Sequence, residues 1–142
     1  MDNYRRKIIM AIIISHTLIL DKEERILVLC RSDKEKILPG YWDLPGGTVR
    51  AKEDPMVGAI REVKEECGLK VSDLRLFAHT SNWDKVKQER FVTLIFKTNK
   101  YSGVIKLNPK DHQKYAWLSK TEIKKIKRVK YFKEIFKRLN LQ

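Results

Sequence analysis

Two cysteines in 142 residues are too few for a disulfide framework; a secreted scaffold of this size usually carries more. Cys30 and Cys67 have no metal-spaced Cys or His companions, and His16, His79 and His112 share no ligand spacing, so no zinc site is expected. Cys67 continues an apolar helical stripe, the place of a buried thiol. Long apolar runs are also missing. The isoleucine-rich stretch Ile8 to Ile14 follows Arg5, Arg6 and Lys7 much as a signal sequence would, but Ser15, His16, Thr17 and Asp21 break its continuation. No small-residue cleavage site follows, and a membrane span needs roughly 20 apolar residues. A buried first strand in a cytoplasmic protein without a membrane span is the better reading. Internal repeats, linkers and low-complexity blocks are absent too, so residues 1–142 read as one domain with a substantial core.

Acidic residues are scarce in only one half. Residues 1–70 hold 13 Lys or Arg against 12 Asp or Glu, whereas residues 71–142 hold 18 against 6. The second half therefore offers a positive surface to an anionic ligand, with nucleotide, nucleic acid and anionic membrane all compatible.

Along the chain, residues 8–20 read as a strand and Asp21 to Arg25 as a polar turn. The apolar run Ile26 to Cys30 suits a central strand. A charged loop, Ser32 to Tyr41, leads to a brief extended piece at Trp42 to Leu44 before Pro45, Gly46 and Gly47 force a bend. A helix is expected from Asp54 as cap and Pro55 in the first turn to a stop at Gly68. Met56, Ala59, Ile60, Val63 and Cys67 should face a sheet, with close packing against it the reason for Gly58 in mid-helix. Leu74 to His79 and Phe91 to Lys97 are strands separated by the polar segment Ser81 to Arg90, and Tyr115 to Leu118 is another. Ser119 and Glu122 form a capping-box pattern opening a last helix, whose stripe runs Ile123, Ile126, Val129, Phe132, Ile135, Phe136 and Leu139. Strands mixed with two packing helices give an α/β layered fold.

The chemistry concentrates in Glu62, Glu65 and Glu66. At i, i+3 and i+4 they share one helix face, where like charges repel. A cluster of hard oxygen ligands is what Mg²⁺ chemistry on a polyphosphate requires.

From Gly47 to Leu69 the chain resembles the signature of the Nudix hydrolases. Gly47, Glu53, Arg61, Glu62, Val63, Glu65, Glu66, Gly68 and Leu69 fill its nine positions without departure, and Trp42-Asp43-Leu44-Pro45-Gly46 is similar to the family's usual lead-in. The resemblance implies an α/β/α sandwich with a mixed β-sheet between helices. It also implies hydrolysis of a nucleoside diphosphate linked to another group, by water attack on phosphorus assisted by Mg²⁺, with Mn²⁺ as an alternative.

It further implies that Glu62, Glu65 and Glu66 hold or organise the metal, joined by a backbone carbonyl of Gly46 or Gly47, while Glu53 and Arg61 pair in support. MutT-like members carry an acidic residue six positions before a tryptophan, which here gives Asp111 before Trp117; a solvent-facing loop aspartate is the competing reading. ADP-ribose types show a proline, and dinucleoside polyphosphate types a tyrosine, beyond the box. Asp84, Lys85, Val86 and Lys87 supply neither, which favours a MutT-like (d)NTP pyrophosphatase. Arg31 and Lys52 are candidate phosphate contacts, and Trp42, Leu44, Trp83 and Phe91 candidate substrate contacts. Hydrolysis at an RNA 5′ end, and a basic nucleic-acid-binding module, are the alternatives; oligomeric state is left open.

Overall fold

The computed structural model describes residues 10–140, so Arg5 to Lys7 and the first two residues of the run Ile8 to Ile14 lie outside the described residues. Strand β1 (Ala11–Ile19) passes to β2 (Ile26–Arg31) through a turn in which Asp21 Oδ1 accepts the N–H groups of Glu23 and Arg25 at 3.0 and 2.8 Å. Then follow β3 (Trp42–Asp43), β4 (Gly46–Thr48), helix α1 (Pro55–Cys67) and β5 (Lys70–Ser72). The chain continues through β6 (Arg75–Asp84), β7 (Glu89–Thr98), β8 (Lys100–Ser102), β9 (His112–Leu118), α2 (Lys120–Ile123) and α3 (Phe132–Asn140). A mixed four-stranded sheet has the order β4-β1-β7-β6, with β1 parallel to β7 and the other pairs antiparallel. Antiparallel β3-β2-β9 forms a second sheet, and β5 pairs with β8.

Strand periodicity divides the core into two layers. Leu18, Ile26, Val28 and Ile95 pack with Ile123, Phe132, Ile135 and Phe136 of the C-terminal helices. Ile19, Leu27, Leu29 and Phe96 pack with Ala59, Val63 and Cys67 of α1. A strand covered on both faces reads as a continuous apolar run, which explains Ile26 to Cys30. Each fully buried Leu, Ile or Phe contributes about 1.5–3 kcal/mol relative to exposure. Helices on both sides of a mixed sheet make an α/β/α arrangement. Among the described residues no helix is long and apolar enough to cross a membrane.

The first helix starts and stops where its end residues dictate. Asp54 accepts the N–H of Met56 and Val57, Pro55 opens the helix, and Gly68 closes it at φ 78°. Met56, expected to face the sheet, is instead 37% exposed. Gly58 is not pressed against the sheet either. A Cβ there would meet Glu53 Oε1 at 2.8 Å, so the glycine makes room for a carboxylate.

Other differences come from pairing at a distance. Gly46 and Gly47 do not simply bend the chain: they form β4 opposite His16 and Ser15. The segment Ser81 to Arg90 extends both strands of the β6–β7 hairpin almost to its tip. The last helix is two. Its capping box forms as expected at Ser119 and Glu122, but Trp42 then takes main-chain groups a continuous helix would use itself. Trp42 N–H donates to the Lys127 carbonyl at 2.8 Å, and Val129 N–H donates to the Trp42 carbonyl at 3.1 Å.

Candidate active site

Helix α1 is held against β1 and β4 by contacts that its sequence makes compulsory. Ser15 Oγ donates to the Pro55 carbonyl at 2.9 Å, tying the helix start to the sheet. A Cβ on Gly46 would stand 2.3 Å from the Ser15 carbonyl, and one on Gly47 would stand 2.6 Å from the Glu62 carboxylate. The backbone clash leaves no room for a side chain at Gly46, and one at Gly47 would displace the Glu62 carboxylate, so β4 comes within touching distance of the helix carboxylates.

Arg61 organises the supporting layer. Its Nε donates to Glu53 Oε2 at 2.8 Å and one Nη to Glu53 Oε1 at 3.0 Å, a bidentate pair. The other Nη reaches Glu62 Oε1 at 2.9 Å and Glu65 Oε2 at 3.1 Å. Hydrogen bonds from Arg61, then from the Arg50 backbone, hold the Glu53 carboxyl well down, at about 2. The same carboxylates push the Arg61 guanidinium above its ordinary value, the Glu53 hydrogen bond contributing most.

Glu66 differs from its two helix neighbours. It is buried, with Oε1 accepting the Gly46 N–H at 2.6 Å and Oε2 lying 3.2 Å from His112 Nδ1. Burial first, and then the nearby Asp43, Glu62 and Asp111, raise its carboxyl to about 9 despite the Gly46 hydrogen bond. Burial also lowers His112 below the usual imidazole range. His112 Nδ1 has no partner with hydrogen-bond geometry. Burial thus disfavours the charged form of both groups at their point of contact.

Around them is a cavity of about 300 Å³ lined by Arg31, Glu35, Gly46, Glu62, Glu65, Glu66, Asn108, Asp111 and His112. Five carboxyl groups thus share one hollow with a single arginine. A larger hollow of about 610 Å³, which includes Leu76, Phe77 and Lys97 in its wall, holds no such cluster. Asp111 and His112 reach the cavity because Asn108 N–H donates to the Glu66 carbonyl at 3.1 Å and Ser32 N–H to the Asp111 carbonyl at 2.9 Å.

Arg31 is fixed from behind. Its guanidinium stands 3.4 Å from Asp43 Oδ2 and 3.7 Å from Glu35. Asp43 in turn accepts the Tyr131 hydroxyl, which itself accepts the Leu44 N–H at 2.9 Å. His16 Nδ1 lies 3.0 Å from the Leu44 carbonyl in the same buried polar knot.

The structure thus brings Glu62, Glu65, Glu66, Gly46, Asp111 and Arg31 to one cavity, with Glu53, Arg61 and Gly47 directly behind it. The remaining candidates lie elsewhere. Leu44 is 1% exposed and packs in the core, with Trp42 against it. Lys52 occupies a left-handed turn position at φ 67° and lines none of the hollows described. Trp83 and Phe91 sit on the β6–β7 hairpin, Trp83 beneath Arg90 at 5.8 Å. Glu35, Asn108, His112, Asp43 and Tyr131 were not singled out as site residues from the sequence. His112 adjoins the acidic position already noted, whereas Glu35 sits in an aperiodic charged loop and Tyr131 is 88 residues from its partner Asp43.

Among the described residues no three Asp, Glu, His or Cys side chains converge as a ready metal cage; Arg61 occupies an oxygen of both Glu62 and Glu65. The donor types nevertheless fit a hard divalent cation. All five carboxyls offer oxygen, and the closest packing at Gly47 leaves the Glu62 carboxylate against bare backbone.

Comparison with known proteins agrees with this geometry. The NUDIX domain profile matches residues 13–139, and the chain belongs to that family. It is 31% identical over 86 residues to an RNA pyrophosphohydrolase of Zymomonas mobilis, covering 61% of this chain and 54% of that protein. It is 30% identical over 105 residues to a MutT-like protein of Streptomyces ambofaciens, covering 74% and 62%. The aligned regions thus span little more than half the length of these curated relatives. Among solved structures, a MutT protein from Methanosarcina mazei Go1 superposes with a TM-score of 0.76 at 27% identity, covering 93% of this chain and 94% of that one.

Proposed function

We propose that this protein hydrolyses a nucleoside or deoxynucleoside triphosphate to the monophosphate and pyrophosphate, using Mg²⁺, with Mn²⁺ able to replace it. The observation that carries the reading is the cavity with five carboxyls and one arginine. A polyphosphate is repelled by such a wall unless cations stand between. Glu62, Glu65 and Glu66 would hold the ion, with a backbone carbonyl of Gly46 or Gly47 and with Asp111 completing the oxygen set. A bound divalent ion supplies charge neutralisation on the phosphates and a more acidic water. Arg31, backed by Asp43, orients a phosphate oxygen; Glu53 and Arg61 hold the loop and helix in register. Glu66 is the buried member, and an ion held there would compensate the charge that burial disfavours.

MutT-like relatives support the free-nucleotide substrate. The Zymomonas relative's name supports a second reading, a 5′-triphosphorylated RNA end, at the same carboxylates.

The deciding experiment is a Mg²⁺-dependent screen of NTPs, dNTPs, their oxidised forms, ADP-ribose, dinucleoside polyphosphates, nucleotide sugars and 5′-triphosphorylated RNA, with Glu66→Gln as blank. Pyrophosphate release from one free nucleotide, lost in the variant, is the expected result. Faster release from the RNA would transfer the assignment to the second reading. No metal-dependent turnover of any of them would sink both.

A further inference from the structure

On the far side of the 32–41 loop lies a groove of about 500 Å³ lined by Tyr41, Lys127, Arg128, Val129, Lys130 and Lys133. Four of its six residues are cations, and no carboxylate lines it. The groove exists because Trp42 pairs with Lys127 and Val129, which breaks the C-terminal helix and lays a basic segment beside an aromatic pair. Lys127 Nζ stands 4.6 Å from the Tyr41 ring centre and Lys114 Nζ 5.6 Å from that of Trp42. Cations flanking a partly open aromatic ring are the elements of a surface for phosphates and stacked bases.

We infer that this groove is a binding site for single-stranded polynucleotide, separate from the carboxylate cavity and adjoining it. The two are neighbours across one hairpin. Arg31, which lines the cavity, donates its N–H to the carbonyl of Tyr41, which lines the groove, at 2.8 Å. Arg31 and Tyr41 are thus joined directly through the backbone, so one extended strand can occupy the groove with its end at the cavity. An anionic membrane fits less well. Interfacial helices insert an apolar face, but Phe132, Ile135 and Phe136 of α3 are spent on the core. Exposed Ile37 and Leu38 on the adjoining loop offer far less apolar area.

The site stands apart from the hydrolytic reading, so its test uses 5′-hydroxyl oligomers, which carry no terminal phosphate chain to hydrolyse. Fluorescence anisotropy would follow short single-stranded RNA and DNA oligomers binding to the full chain over a salt series. One variant carries Lys127→Ser, Lys130→Ser and Lys133→Ser together. A charge-matched control carries Lys70→Ser, Lys85→Ser and Lys87→Ser, at positions away from the groove. Single strands contribute about 0.7 to the log–log salt slope per phosphate contact, so the groove variant should lower the slope by about 2. The control should leave it near that of the wild type. Tyr41→Ala should weaken binding about tenfold at fixed salt, through lost stacking. The RNA and DNA arms identify which polymer the groove prefers. Circular dichroism and free-nucleotide turnover matching wild type in the groove variant would show that its fold is intact. Equal loss in the control, no oligomer binding by the wild type, or binding to phosphatidylserine vesicles alone would each overturn the proposal.

Discussion

Two hollows meet at the 32–41 loop with opposite electrostatics. One gathers five carboxyls around a single arginine, and the other gathers four cations and no carboxylate. The first is built on a continuous, well-capped helix whose side chains are close in sequence. The second exists only where a helix is interrupted by a partner from another sheet. Concentrated like charge is costly in either case, and in the acidic hollow Arg31 and Arg61 offset it only in part. On the proposed function, the acidic one would take up metal ions before it could receive phosphate. The basic one can receive phosphate directly.

The largest expected effect separates the two. Glu66→Gln should reduce kcat/KM for the preferred nucleotide by on the order of 10²–10³-fold, the scale of losing one organised electrostatic group. Steady-state assays at saturating Mg²⁺ check this, and retention of most activity would remove Glu66 from the centre of the site. Oligomer binding in the groove should be unchanged in the same variant.

Acidity probes the cavity alone. Glu66 ionises near its ordinary value in the unfolded chain but only near about 9 in the folded one. Between those values the folded state holds the extra proton. Stability without metal should therefore fall as pH rises through that window, its contribution fully present only below the unfolded value. Denaturant titrations across the range should show the decline, and a flatter profile in Glu66→Gln; identical slopes in both proteins would refute the assignment. Binding of Mg²⁺ should release a proton and tighten with pH, measurable by calorimetry in buffers of different ionisation heat.

Tyr131→Phe tests the link behind Arg31. It removes the hydroxyl that meets Asp43 and Leu44 N–H, and should cost about 1–3 kcal/mol in stability. KM should rise a few-fold with kcat nearly unchanged. A loss confined to kcat would mean that the knot serves the reacting centre rather than the placement of Arg31.

The smallest expected effect is at Gly58. In an open helix Gly→Ala stabilises by about 1 kcal/mol. Here the new Cβ would meet a carboxylate pinned by Arg61, so Gly58→Ala should show no gain in melting temperature. The gain should return when Glu53→Ala is present as well, a non-additivity readable from a double-mutant cycle.

Much of the cavity was legible in the chain because its determinants are local. Asp54, Pro55 and Gly68 set the helix ends through bonds within a turn or so, and the 3.6-residue period alone puts Glu62, Glu65 and Glu66 on one side. Asp111 could be named because its distance from Trp117 resembles a family spacing. Glu35 and Tyr131 had no such marker, since no periodic pattern relates them to the residues they join. The C-terminal stripe was likewise legible as apolar, and Ile123, Phe132, Ile135 and Phe136 are buried. Its continuity was not, because helical spacing is silent about a strand that competes for main-chain groups.

By itself, then, the order of residues determined the helix with its caps, the two-layer alternation of the strands and the set of carboxylates, all matters of period and short-range bonding. Tertiary structure decided which of those carboxylates is buried, which loop residues reach it, and where the last helix breaks. Those outcomes rest on contacts between residues tens of positions apart, whose energies depend on packing and solvent exclusion rather than on spacing along the chain.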